Sequence, residues 1–445
     1  MRVKIKNLAR IKEASVALKP LTIFIGKNNT NKSYVAHVFY ALLDLATIEW
    51  EKSAEQKYLK DIIEQLKPFF KKIENQEEQI FYSFRKNEKF LNQIIEIFKK
   101  LWSKFSPQYL KNPTLEKVSV ELENFSFLLK QYKKLKEPKI YTPSNELPPW
   151  TILLDFFRDT VFIPLIMSYF NFRLPFGIFY FPASRTGFAL ALEDIVSGVF
   201  KQRFSGIPTT KLTEPTVDFL ATYNDIRLGT FALPFGQKKE ISPNLKKINS
   251  FLERKLLDGK VIVKKETVKG VGMYRKFVYQ PRGYKISLGL HCVSSLVTEL
   301  APLYSFLNAL KDVKNTFFII EEPESHLHPS AQLEIVKLLG MLVRSEAKVL
   351  ITTHSYYILN FVNVLIRSSQ LEDKDRRKLK LEKCFLNPEE VGCYLFKEKG
   401  RDVEVKELEV SNNGVTTESF EEVLDEIIGL SSKIHKLLYK EFIKK

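Results

Sequence analysis

Three short stretches carry residue types at spacings that suit phosphate chemistry. In the first, Gly26-Lys-Asn-Asn-Thr-Asn-Lys32-Ser33 lies between an apolar run and a stretch with apolar positions at helical spacing. A chain of phosphates needs successive backbone N–H groups facing inward, a helix N-terminus behind them, a lysine for the terminal charge and a hydroxyl for Mg²⁺. Gly26, Asn28, Asn29, Thr30, Asn31, Lys32, Ser33 and Tyr34 offer these in order, with Ser33 as the hydroxyl beside the metal. The loop departs from G-x-x-x-x-G-K-[ST] at one place, where Asn31 stands for the second glycine. Asparagine is among the few side chains that tolerate positive φ at modest cost, so phosphate binding is expected to survive. An ordinary surface turn is the alternative, and the flanking strand and helix patterns argue against it.

The second stretch is Phe317-Phe-Ile-Ile-Glu321-Glu322-Pro-Glu324-Ser-His326-Leu-His328-Pro329. Two carboxylates at the end of a buried strand face the mouth of a sheet, where parallel α/β folds place ligands. Glu321 is the candidate for holding Mg²⁺ through water, and Glu322 for orienting or deprotonating the attacking water. A rival reading takes Glu324, His326 and His328 as metal ligands. Against it, Pro329 suits the start of a helix, with the histidines capping or packing nearby. The third stretch, Lys348-Val-Leu-Ile-Thr-Thr-His354-Ser355, is a buried strand ending in polar residues. A lone histidine is usually structural; beside two phosphate motifs, His354 is the candidate for contacting the terminal phosphate or the water.

Strands and helices must bring these stretches together. Val3, Ile5 and Leu8 alternate in a first strand, and Leu21–Ile25 forms a β-branched run suited to a buried one, followed by a helix over Ser33–Leu45. Later the pattern reads helix (Val297–Leu310), strand (Thr316–Ile320), helix (Ala331–Val343), strand (Lys348–Thr353), helix (Tyr356–Ile366). Strands alternating with helices imply a parallel sheet, which the first strand and these late strands are expected to share. Between them, Glu49–Tyr141 is rich in Lys, Glu, Gln, Phe and Ile, with apolar residues at three-and-four spacing. It reads as a packed helical lobe more than a coiled-coil arm, with a partner-docking face as the functional alternative. Residues 201–285 carry strand-like runs at Lys260–Lys264 and Met273–Tyr279 whose topology the pattern does not assign.

Composition narrows the class. With 445 residues, 44% hydrophobic and 13% aromatic, the chain has ample apolar area for a packed core. Three cysteines without a CxxC pair exclude a disulfide framework or zinc cluster and suit a reducing cytoplasm. The apolar stretch Thr151–Phe181 is broken by Asp155, Arg158, Asp159, Pro164 and Arg173, so no membrane partner is expected. A net charge of +17 is compatible with nucleic-acid contact through counterion release, or with plain solvated surface charge.

Taken together, these motifs resemble the ABC-type ATPase heads of chromosome-maintenance, RecF-like and overcoming-lysogenization-defect (OLD) proteins. The resemblance is closer to the stand-alone AAA family ATPases of bacteria and archaea that carry an EEPE-x-HLHP motif, many of them in anti-phage systems. It implies an α/β head with a mostly parallel core sheet, an antiparallel β part and a helical insertion. The parts would be residues 1–48 with the phosphate loop, a helical insertion at 49–150, a second head part at 151–370, and strands and a helix at 371–445 completing it. Within Leu288-Gly-Leu-His-Cys-Val-Ser294-Ser295-Leu296, Ser294, with Ser295 beside it, is similar to the signature serine that reaches ATP across a head-to-tail dimer. Leu296 departs from the second glycine of that signature, and a plain helix N-cap by either serine is compatible with the same role. The Phe181-Pro-Ala-Ser-Arg185 segment would lie near the nucleotide, with Arg185 either neutralising phosphate or forming an ordinary salt bridge.

The resemblance thus implies ATP and Mg²⁺ as cofactors, a homodimer closed on ATP, and hydrolysis used to control a separate effector such as a nuclease. A nuclease in the same chain is not expected, since Asp373-Lys-Asp375 has no apolar strand before it. The residues after His354 are also needed for a hairpin of Cys393–Phe396 and Val403–Val410 around Lys399-Gly400. Two other readings stand beside this one: a DNA-tethering ATPase in repair, and a scaffold that senses nucleotide without turnover.

Overall fold

The computed structural model describes residues 2–44, 119–122, 177–192, 212–231, 240–268 and 272–415, with the single position 432. Of the expected insertion at 49–150, only Ser119–Leu122 falls among them. The rest of that lobe, and all but position 432 after 415, lie outside the described residues.

In chain order the elements are β1 (Arg2–Leu8), β2 (Ile11–Ala17), β3 (Leu21–Gly26), α1 (Lys32–Asp44), β4 (Ser119–Leu122) and β5 (Gly177–Phe181). Then come α2 (Glu214–Leu228), α3 (Pro243–Phe251), β6 (Gly259–Val268), β7 (Gly272–Pro281), β8 (Leu288–Gly289) and α4 (Ser295–Ala309). The chain continues with β9 (Thr316–Glu321), α5 (Pro329–Arg344), β10 (Lys348–Thr353), α6 (Tyr356–Ser368), β11 (Val391–Lys399) and β12 (Asp402–Leu408). The central sheet runs β12-β11-β3-β10-β9-β5. Every pairing in it is parallel except β11 with β12.

This sheet is buried on both faces, which is why its strands read as continuous apolar runs and not as alternations. Ile23, Ile25, Val349, Ile351, Phe318, Ile320, Phe179 and Phe181 point to the face covered by α4, α5 and α6. Phe24, Leu350, Phe317, Ile319 and Tyr180 point to the other, covered by α1. Each fully buried side chain of this kind contributes about 1.5–3 kcal/mol.

Three small antiparallel sheets complete the described fold, the smallest a two-stranded pairing of Val410–Ser411 with Gly414–Val415. One is β2-β1-β4, so the first strand is not a member of the central sheet, as its sequence suggested; β3 takes that place. Its alternating Val3, Ile5 and Leu8 bury one side only, which suits an antiparallel strand. Another is β6-β7-β8, where the two short strand-like runs lengthen into paired strands of ten residues each. The expected hairpin around Lys399-Gly400 forms β11 and β12; β11 is longer than the expected Cys393–Phe396, while β12 ends at Leu408, short of the expected Val410.

Helix caps set the other boundaries. Ser294 Oγ accepts from Val297 N at 3.4 Å and opens α4, and His328 Nδ1 accepts from Ser330 N at 3.3 Å and opens α5 at Pro329. Ser355 Oγ does the same for α6 through Ile358 N at 3.4 Å. Because β3, β10 and β9 are adjacent and parallel, the loops leaving their C-terminal ends meet at one edge of the sheet.

Candidate active site

The loop leaving β3 is shaped by its backbone. Gly26 passes so close to β11 that a Cβ there would lie 2.3 Å from the Phe396 carbonyl oxygen. Asn29 and Asn31 adopt φ of 61° and 64°, the left-handed region that asparagine enters more cheaply than most residues. Asn31 therefore supplies the bend that a glycine would make. Thr30 Oγ1 donates to the Lys27 carbonyl at 2.8 Å, and the first helical hydrogen bond of α1 runs from Val35 N to Asn31 O at 3.2 Å. Lys32, only 7% exposed, folds its ammonium back into the loop, donating to Gly26 O at 2.9 Å, Lys27 O at 2.7 Å and Thr30 Oγ1 at 3.3 Å. Burial lowers its pKa, and Glu322, Glu324 and Glu321 push it back up.

Glu321 ends β9 and is 6% exposed. One carboxylate oxygen, Oε2, accepts from Ala183 N at 3.2 Å; the other, Oε1, is buried without an aligned donor. Glu322 is held in the left-handed region at φ 43°, its N–H donating to Thr352 O at 2.8 Å. Ser325 Oγ donates to Glu322 Oε2 at 3.1 Å, and His354 Nδ1 stands 3.6 Å from Glu322 Oε1. That approach of His354 holds the Glu322 carboxyl below the usual range, and the same contact raises the histidine.

His354 is itself held in place. Glu324 Oε1 accepts from Thr353 Oγ1 at 2.6 Å and from His354 N at 3.1 Å, and lies 3.8 Å from His354 Nδ1. Glu324 is thereby turned inward, while His328 caps α5 and His326 is exposed. Among the described residues, no group of three or more His, Cys, Asp or Glu is gathered as a metal cage.

Arg185 lies behind the two carboxylates. Its Nη1 donates to Glu321 O at 2.6 Å and Pro182 O at 3.1 Å, its Nη2 donates to Glu322 O at 3.0 Å, and it pairs with Glu299 of α4. Thr186 donates to the same glutamate. Ser294 and Ser295 are exposed at the N-terminus of that helix, and Leu296 packs partly into the core. Asn28, Asn29 and Ser33 are exposed around the loop, and Tyr34 is half-buried against the α1 face.

The donor set fits a nucleoside triphosphate with Mg²⁺. A loop with two left-handed residues before a helix offers N–H groups to anions, and the uncommitted Glu321 Oε1 and the Ser33 hydroxyl are hard oxygen ligands. Glu299, Thr353, Tyr180 and His37 also belong to this region and were not singled out from the sequence. Only Thr353 had a local signal, its place beside His354 at the end of β10.

A family profile described as the AAA ATPase domain matches residues 1–148 and 219–359. Among solved structures, an Smc head bound to the C-terminal winged-helix domain of ScpA is similar, with 12% identity over 92% of this chain and 97% of that one, at a TM-score of 0.38. An Smc head with an extended coiled coil from Pyrococcus furiosus, bound to the C-terminal domain of ScpA, gives 11% identity over 96% and 98% of the two chains and 0.33. An Smc head with a coiled coil and joint from Pyrococcus yayanosii gives 11% over 96% and 99%, and 0.36. No curated protein matches the chain.

Proposed function

The chain belongs to the AAA ATPase domain family, and we propose that it is a cytoplasmic, Mg²⁺-dependent ATPase that dimerises on ATP and controls a separate effector, a nuclease, in defence against phage or foreign DNA. The observation that carries the reading is the convergence of Lys32, Glu322 and His354, each from a different loop, at one edge of the sheet. His354 stands 3.6 Å from Glu322; the Glu322 carboxylate opposes the lowering of the Lys32 pKa by burial, and the Lys32 charge in turn works against protonation of His354.

In this reading the loop N–H groups from Asn28 to Ser33 bind the phosphates, and Lys32 exchanges the carbonyls of Gly26 and Lys27 for phosphate oxygens. Ser33 and Glu321 would hold Mg²⁺, which supplies neutralisation of the charge that develops on the phosphates. Glu322, a carboxylate whose charged form the contact with His354 favours further, accepts a hydrogen bond from the attacking water and aligns it. His354 faces the carboxylates through Nδ1, leaving Nε2 for the terminal phosphate. Ser294, exposed at the N-terminus of α4, offers its hydroxyl to ATP held by a second copy, so that closing the dimer becomes the signal to the effector.

Two rivals keep a specific observation each. Leu296 at the second signature glycine favours a scaffold that binds ATP without turnover, and the net charge of +17 favours a DNA-tethering ATPase. Phosphate release and size-exclusion with and without ATP decide among them. Wild type should turn over, and Glu322→Gln should lose on the order of 10²–10⁴ in rate while eluting as an ATP-dependent dimer. Equal, near-zero rates for both leave the scaffold. Salt-dependent duplex binding by the isolated protein, without a cognate effector, favours tethering.

A further inference from the structure

Behind Glu321, a buried chain of polar groups crosses from β9 through β5 to α1. Tyr180 pairs with Ile319 across the β5–β9 ladder, so its side chain shares a face with Ile319 and with Glu321 two residues on. Burial raises the pKa of this hydroxyl, and the nearby Glu321 carboxylate raises it further. On the other side, His37 Nε2 of α1 is 2.6 Å from the same hydroxyl, with the two rings edge-on at 5.1 Å between centroids. Tyr180 and His37 are both buried.

Counting protons orders this chain. Tyr180 has one O–H to give, Glu321 has an oxygen without an aligned donor, and His37 Nδ1 is buried without a partner. If the hydroxyl donated to His37, no described side chain would donate to the Glu321 carboxylate, and His37 Nδ1 would carry an unanswered proton. With the hydroxyl donating to Glu321, His37 donates from Nε2, and the atom left alone is an aprotic ring nitrogen, the cheaper orphan.

We propose that Tyr180 is a positioning residue for Glu321, donating to its carboxylate while His37 donates to Tyr180, so that the helix carrying the phosphate loop fixes the orientation of the metal-holding carboxylate. The proposal rests on the assignment of Glu321 to Mg²⁺. A hydrogen-bond donor behind a metal-ligating carboxylate typically changes metal affinity about 10–100-fold when it is removed.

The test titrates free Mg²⁺ against binding of a fluorescent ATP analogue by the full chain, with melting temperature recorded for every variant. Tyr180→Phe should raise the half-saturating Mg²⁺ about tenfold, while affinity for the analogue in EDTA and the melting temperature stay near wild type. His37→Leu should shift the Mg²⁺ midpoint the same way, and His37→Gln, whose amide donates from a similar place, should recover much of that shift. If Glu321→Ala shifts the midpoint and Tyr180→Phe and His37→Leu do not, the two residues only pack, and the proposal falls while the metal assignment stands. If Glu321→Ala leaves the midpoint unmoved, the metal assignment falls and takes this role with it. A Tyr180→Phe protein that binds the analogue less well in EDTA to the same extent as in Mg²⁺ also overturns the proposal.

Discussion

The guanidinium of Arg185 and the carboxylate of Glu299 form an ion pair whose side chains are 3% and 0% exposed. The same arginine donates to the backbone carbonyls of Glu321 and Glu322, and Glu299 sits on the helix that Ser294 caps. One side chain therefore joins the acidic end of β9 to the helix at the proposed dimer face. Sequence reasoning left Arg185 open between phosphate contact and salt bridge; the described geometry has its guanidinium on Glu299 and three carbonyls.

Removing one member of this pair leaves the other buried and uncompensated. Glu299→Ala should cost about 3–5 kcal/mol in urea unfolding, whereas a paired apolar replacement, Arg185→Met with Glu299→Leu, should recover much of that loss. The double variant would still lack the donors that hold the Glu322 carbonyl, so its phosphate release should stay low after stability returns. Recovery of both together would mean that the arginine serves stability alone.

The contact of His354 with Glu322 gives a pH signature. His354, raised above 6.5, adds stability that is complete below pH 6.5 and is lost as pH climbs through its folded value. Glu322, lowered below 4.5, adds stability present above pH 4.5 that is lost as pH falls through its folded value. The difference in melting temperature between wild type and His354→Asn should thus be largest between pH 4.5 and 6.5 and shrink on either side. With the two side chains 41% and 31% exposed, the effect should not exceed about 1 kcal/mol. A difference that is flat across this range would remove the pairing.

Asn31 offers a test of the phosphate loop. Because its φ is 64°, Asn31→Gly should change stability by less than about 1 kcal/mol and keep ATP binding. Asn31→Val must place a β-branched side chain in that conformation, at about 1–2 kcal/mol, which corresponds to roughly a tenfold loss of ATP affinity if the loop distorts to avoid it. Calorimetric titration with ATP and Mg²⁺ compares the two. Equal affinities would show that the bend at Asn31 is not what orients the N–H groups.

Much of the central sheet was legible because β3, β9 and β10 are buried on both faces and end in polar loops, a pattern that survives in one dimension. Apolar spacing alone begins two residues late, at Val297 and Ala331, whereas the cap signals at Ser294 and Pro329 mark where the two helices open. Strand partners were harder. The alternation of Val3 and Ile5 reports one buried face but not which strand lies alongside, and β1 pairs with β2 and β4. In β6, Lys264 and Lys265 are exposed and hide the length of a ladder that continues to Val268. The links from Tyr180 to His37 and from Arg185 to Glu299 left no trace in spacing. Each joins residues far apart in the chain whose proximity exists only once the sheet and its covering helices are assembled.

The order of the central strands also separates what must be kept from what is free to vary. Gly26 and Glu321 terminate strands that flank β10, so the two ends of the long excursion between them are pinned within a single sheet. Within the described part of that excursion the chain returns once to the same sheet, at β5, which pairs in parallel with β9, so the segments on either side of β5 each begin and end at this frame.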